Sequence, residues 1–461
     1  MPALIDRLAR PIVAIISAFA LLANATLPAR AQQAGGDSLP IIRDAEIEGL
    51  LRLYTKPIFK AAGINPGSAR VYIIQDDHIN AFVAGGQRIF INTGLLMQAN
   101  TPNQVIGVLA HETGHIAGGH LARMGNEADQ ASATAIIGML LGVAAMAGGA
   151  LSKNPDAGRA GTGIMIGSQS LAQRSFLTYA RSMESSADQA ALKFLNETHQ
   201  SAKGMLELFT KLSRELIAQI RDVDPYVLSH PMPLERIRNL ETAAKASPYY
   251  NAVDPPALVL RHELMQAKLV GFIEPANVVF QRYPSANDSL PARYARAIAM
   301  FRQGDTKNAV AVIDTLIRDL PQSPYFWELK GQAILEGGDP AGAVEPLERA
   351  VKMLPNGLLQ ILLAQALIGT GDQAESQEAL RMLRLAQKTE GQTPEVFKFM
   401  AIAYGNIGDV GRAELATARM ASLLGDKKLA IAKAKSAQSR LKTGSPEWVQ
   451  ANDILNALDR N

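Results

Sequence analysis

Glycine followed by aspartate recurs in the second half of the chain, at Gly304-Asp305, Gly338-Asp339, Gly371-Asp372 and Gly408-Asp409, at spacings of 34, 33 and 37 residues. A unit of that length has room for two helices and a turn but not for a core of its own, so it must stack on its neighbours. Prolines at Pro284, Pro321 and Pro355 end the second helices, and small residues such as Ala333, Ala341 and Ala343 allow close helix crossing. Residues 251–461 are therefore expected to form an α-solenoid of tetratricopeptide-like helical hairpins, with a degenerate first repeat at 256–288 and capping helices at 426–460. Such a stack offers a concave surface for partner segments and no chemistry of its own.

Chemistry has to come from the first half. Residues 1–31 read as a secretory signal, with Arg7 and Arg10 before an apolar core and Ala29-Arg30-Ala31 at the cleavage position. Export of the mature chain is therefore expected. The chain has no cysteine, which excludes disulfides, thiolate metal sites and lipid-modified cysteine. Its formal charge of +3 is too small for a nucleic-acid field, and no nucleic acid is expected as partner. Neither a phosphate-binding glycine loop nor a serine nucleophile elbow is present.

The stretch HETGHIAGGH, residues 111–120, holds three of the seven histidines. Thr101, Pro102 and Gln104 form a helix start, and the apolar run Val105–Leu109 predicts that the helix is buried. At about 100° per residue, His111 and His115 stand one turn apart on one face and can converge on one ion. Glu112 lies beside that face, placed to take a proton from a water on the metal. His120 misses the spacing of a third ligand by one residue, since Leu121 occupies that position. On a continuing helix it would face about 180° from His111, so a packing role is expected. Further along, Glu184 and Asp188 sit four residues apart on a predicted helix over 175–195. Glu184 is expected as the third zinc ligand, and Asp188 as an acceptor for the outer nitrogen of a ligating histidine. One Zn2+ per chain follows from this set.

These motifs, HETGH, then MESSAD, then SHPMPLERI with His230 and Arg236, resemble the zinc metallopeptidases that include HtpX and the CAAX prenyl proteases. The stretch INAFVAGGQRIFINTGLL, residues 79–96, is similar to the family's segment ahead of the active helix, with Ala84 where many members have proline. The resemblance implies a gluzincin-like α+β peptidase domain with a small sheet over 32–250, in a chain that is mainly α. Secreted members with carboxy-terminal repeats act on outer-membrane β-barrel proteins. There a histidine at the place of His230 can take the fourth zinc position and hold the enzyme idle, and the arginine at the place of Arg236 belongs to the same functional segment. The implied function is a periplasmic zinc endopeptidase for misfolded or stalled outer-membrane proteins, with the β-barrel assembly machinery docked on the repeats. The alternative is a chaperone or scaffold whose zinc site is structural or self-inhibited.

Two further expectations concern surfaces. The uncharged runs at 130–152 and 161–173 are read as a lid or hairpin over the cleft that touches the membrane surface or a client, because a span there would separate His111 from Glu184. RVYIIQ (70–75) and RIFIN (88–92) are read as strands joined through the glycine-containing segment, with an exposed edge for an extended substrate.

Overall fold

The computed structural model describes residues 40–123, 180–218, 230 and 234–459. The expected signal segment and the apolar runs at 130–152 and 161–173 lie outside them. Among the described residues no helix is long and apolar enough to cross a membrane.

The chain is mostly helical with one small sheet. Helix α1 (Ala45–Ala61) is capped by Asp44, whose carboxylate accepts from the Ile47 amide. Four strands follow the order β1-β2-β4-β3, with β1 at Ile41–Ile42, β2 at Arg70–Ile74, β3 at Ala81–Ala84 and β4 at Arg88–Asn92. β2 and β4 pair in parallel, and β3 returns antiparallel against β4. The turn between β3 and β4 holds Gly85 and Gly86 at φ of 56° and 93°, where a side chain would be strained. This corrects the expected edge: both 70–75 and 88–92 are inner strands, and the free edge beside the active helix is Ala81–Ala84. The reason is that two parallel neighbours cannot be joined by a tight turn, so the chain between them had to add a strand of its own.

After the sheet come α2 (Thr93–Gln98) and α3 (Pro102–Gly118). Thr101 accepts from the Gln104 amide, and Gln104 Oε1 accepts in return from the Asn100 amide, so the helix start is satisfied from both sides. Every residue of α3 from Pro102 to Gly114 is buried. Helix α4, described over residues 180–197, and α5 (Lys203–Ala218) cover it, and α6 (Leu234–Lys245) packs beside α5. Glycine sets the approach of these helices. A Cβ at Gly114 would lie 2.7 Å from the Ala187 carbonyl of α4, and one at Gly107 would lie 2.5 Å from the Met205 Cβ of α5.

From residue 256 the chain is a series of antiparallel helix pairs. The first, α7 (Pro256–Ile273), packs on α9 (Leu290–Arg302) with the short α8 (Ala276–Arg282) between them; then α9 pairs with α10 (Thr306–Asp319), and α11 (Pro324–Glu336) with α12 (Pro340–Met353). The last are α13 (Gly357–Gly369) with α14 (Gln373–Glu390), α15 (Pro394–Asn406) with α16 (Val410–Leu423), and α17 (Lys427–Arg440) with α18 (Pro446–Asp459). Each Gly-Asp dipeptide is the turn within a pair. Gly304, Gly338, Gly371 and Gly408 have φ between 77° and 92°, and the following aspartates accept from amides at the start of the next helix. Gly425-Asp426 makes the same turn between α16 and α17.

The repeats are not a loose appendage. Met265 and Leu269 of α7 belong to the same apolar core as Leu50, Leu51 and Leu109. His262 Nε2 and Gln266 Nε2 lie 3.0 and 2.7 Å from the Ala99 carbonyl at the end of α2. Lys268, almost fully buried, reaches Asp44 Oδ2 at 2.7 Å, Glu46 Oε2 at 3.4 Å and Glu328 Oε2 at 3.5 Å, so α1, α7 and α11 meet on one cation.

Candidate metal centre

One turn of α3 separates His111 from His115, and their Nε2 atoms lie 3.1 Å apart. Glu184 of α4 brings Oε2 to 3.4 Å from His111 Nε2 and Oε1 to 3.3 Å from His115 Nε2. His230 completes the group with Nδ1 at 3.4 Å from His111 Nε2 and 3.1 Å from both oxygens of Glu184. All four donor atoms lie within 4.8 Å of one another.

These separations test whether a metal fits. Ligands about 2.0–2.1 Å from a tetrahedral ion stand roughly 3.3 Å from each other. The five measured edges run from 3.1 to 3.4 Å, so the donor set suits an ion such as zinc. The charge balance agrees. Burial would lower His111, but Asp188 and Glu184 outweigh it and push its imidazole up to about 9. A position that draws a proton onto a buried imidazole is one that favours positive charge. His115, by contrast, is pushed down by burial to about 4, which keeps it a neutral donor.

Glu112 is fully buried beside this group. His230 Nε2 stands 3.6 Å from its Oε1, and among the described residues neither carboxylate oxygen has a hydrogen-bond partner. Burial raises its carboxyl above the usual range. An unpartnered buried carboxylate costs free energy and marks a group built to meet something else.

Behind the donors lies a layer that orients them. Asp188 Oδ1 is 2.9 Å from His111 Nδ1. Arg236 donates twice to Asp188, at 2.7 and 2.8 Å, reaches Glu184 Oε2 at 2.9 Å and lies over the Phe209 ring, which meets His111 edge-on. Burial would raise the Asp188 carboxyl, but Arg236 and His111 hold it below the usual range. The structure thus gathers His111, Glu112, His115, Glu184, Asp188, His230 and Arg236 in one place.

His120 departs from its expected position. Helix α3 stops at Gly119, in the left-handed region at φ 62°, and the chain turns back so that His120 Nδ1 lies 3.2 Å from His115 Nδ1. The assumption of a continuing helix failed because two adjacent glycines end it. The paired Gly118-Gly119 was the available signal.

Residues 48–244 match the model of peptidase family M48. The chain carries an M48 peptidase domain. Around that domain the similarity runs almost end to end. The β-barrel assembly-enhancing protease of Yersinia pestis is 24% identical over 455 residues, covering 95% of this chain and 90% of the relative. That of Escherichia coli strain K12 is 22% identical over 432 residues, covering 91% and 85%. A putative β-barrel assembly-enhancing protease of Vibrio cholerae is 31% identical over 180 residues, covering 38% of this chain and 35% of the relative. The match to the M48 domain includes all seven residues gathered above, and the first two relatives extend it through the helix pairs.

Proposed function

We propose that the chain is a periplasmic zinc endopeptidase of envelope quality control, acting on misfolded or stalled outer-membrane β-barrel proteins. The carrying observation is the set of four donors within 4.8 Å of one another, beside a buried Glu112 whose oxygens have no hydrogen-bond partner among the described residues. In this reading His111, His115 and Glu184 hold the ion, and Asp188 and Arg236 position them. Zinc there supplies Lewis acidity, lowering the pKa of a water toward about 7. Glu112, its carboxyl raised by burial, would serve as general base toward the attacking water and would return the proton to the departing amine. The free edge at Ala81–Ala84 packs against α3 and can hold an extended substrate by main-chain pairing, which asks little of client sequence. The substrate class is carried over from the names of the relatives, and the helix pairs are read as the platform for clients and the β-barrel assembly machinery.

A second reading has its own observation. His230 Nδ1 takes the fourth corner, and a closed donor set is the mark of a structural or idle metal site. We read His230 as a removable ligand, since a single imidazole from a separate segment can leave without dismantling the other three. The test is cleavage of an unfolded outer-membrane protein by wild type, Glu112→Gln and His230→Ala. The peptidase reading expects a loss of about 10²–10⁴-fold in Glu112→Gln with zinc retained, and a gain in His230→Ala. No cleavage by either wild type or His230→Ala leaves the scaffold.

A further inference from the structure

We propose that His120 is a positioning residue for the metal: its imidazole fixes the tautomer and orientation of His115 and so sets how tightly that corner of the site holds a dication. This rests on the metal reading above. His115 turns Nε2 toward His111 and Glu184, at 3.1 and 3.3 Å. Its other ring nitrogen, Nδ1, faces the opposite way and meets His120 Nδ1 at 3.2 Å. A ligand that gives Nε2 to an ion carries its proton on Nδ1, so His115 is the donor of this bond and His120 the acceptor. For the same reason His120 is no ligand itself, because it sits on the far side of the His115 ring from the other donors.

Three neighbouring residues have one explanation on this account. Gly119 lies in the left-handed region and ends α3, which turns the chain back. Gly118 has no side chain where one would overlap the His120 Nε2. His120 then lies almost fully buried, its ring edge-on to that of His115 with centroids 5.0 Å apart. The two ligating histidines are therefore backed differently. His111 rests on the carboxylate of Asp188, itself held by Arg236, whereas His115 rests on an imidazole. A carboxylate 2.9 Å from the ring nitrogen holds His111 by charge as well as by contact, which a neutral imidazole does not do for His115. The His115 corner is the weaker of the two, and it fails first when its support is removed.

The test is zinc affinity of the full chain by chelator competition, with the visible spectrum of the cobalt-substituted protein as a second readout. His120→Leu removes the acceptor, and about 10- to 100-fold weaker zinc binding is expected, with a changed cobalt spectrum. His120→Asn restores an acceptor at the Nδ1 position and should return affinity to within about threefold of wild type. Cleavage activity lost in His120→Leu should return with added zinc, at unchanged KM. Should His120→Leu fail to fold, His120→Gln, which places its oxygen nearer the Nε2 position, must be weaker than His120→Asn. Zinc affinity equal to wild type in His120→Leu, or no difference between His120→Asn and His120→Gln, overturns the proposal while leaving the metal site intact. Absence of zinc from the wild-type chain overturns both.

Discussion

Among the described residues, the buried polar clusters around Lys268 and around His111 are built on opposite plans. Around Lys268 the chain supplies its own cation: one ammonium serves Asp44, Glu46 and Glu328, and Tyr294 donates to Glu46 at 2.9 Å. Around His111 the chain supplies donors that face one another, three imidazoles and a carboxylate, and among the described residues the two oxygens of Glu112 have no hydrogen-bond partner. A cluster that contains its own cation needs none from outside and holds elements together. A cluster whose lone pairs converge on a common point needs a cation from outside. Burial and perturbed protonation alone do not separate the two, because both show them; the direction in which the lone pairs point does.

The difference can be broken most strongly at Lys268. Lys268→Ala leaves three carboxylates around a buried gap, and a loss of about 3–5 kcal/mol is expected, the usual cost of stranding buried charge. Chemical denaturation reads this directly. A cluster that supplies its own cation predicts that zinc content stays at wild type wherever the variant is folded, so loss of zinc from folded protein would show that the two clusters are coupled.

Glu328 gives a smaller effect with a definite sign. Burial pushes its carboxyl up to about 7, outweighing the attraction of Lys268. A carboxyl raised in the folded state costs stability when ionised. The cost is absent below the ordinary carboxylate pKa of about 4.3, grows as pH rises toward 7 and is fully present above it. Glu328→Gln removes that cost, so the variant should be more stable than wild type at pH 8 by roughly 3–4 kcal/mol and nearly equal at pH 4.5. A gain independent of pH would assign the effect to packing.

At Gly114 the strain is steric. A Cβ there meets the Ala187 carbonyl at 2.7 Å, so Gly114→Ala must push α4 away from α3 and carry Glu184 and Asp188 with it. About 1–3 kcal/mol of stability is at stake. The sharper readout is zinc affinity, which should fall further than stability, since a metal site tolerates little displacement of a ligand. Unchanged affinity would mean that α4 is not what places Glu184.

Much of this arrangement was legible in the residues because it depends on local geometry. The turn of helix between His111 and His115, and the four-residue step from Glu184 to Asp188, need only the helical period. The Gly-Asp turns declared themselves by repetition. What stayed hidden depends on where the chain goes next. His120 was placed on a helix that ends two residues before it, and the free edge fell on Ala81–Ala84 because strand order is set by the whole sheet. Lys268 sits in an apolar helix, and its partners Asp44 and Glu328 lie far away along the chain. Nothing in the neighbourhood of a lone lysine announces such distant carboxylates.

One determination bears on the whole reading: the zinc content of the full-length chain, purified without added metal, beside that of Glu184→Ala. One ion per chain in the first and a marked loss in the second is the expected pair of values. A folded wild-type chain without stoichiometric metal, or a Glu184→Ala variant that keeps its zinc as firmly, overturns the metal centre and the peptidase chemistry built on it.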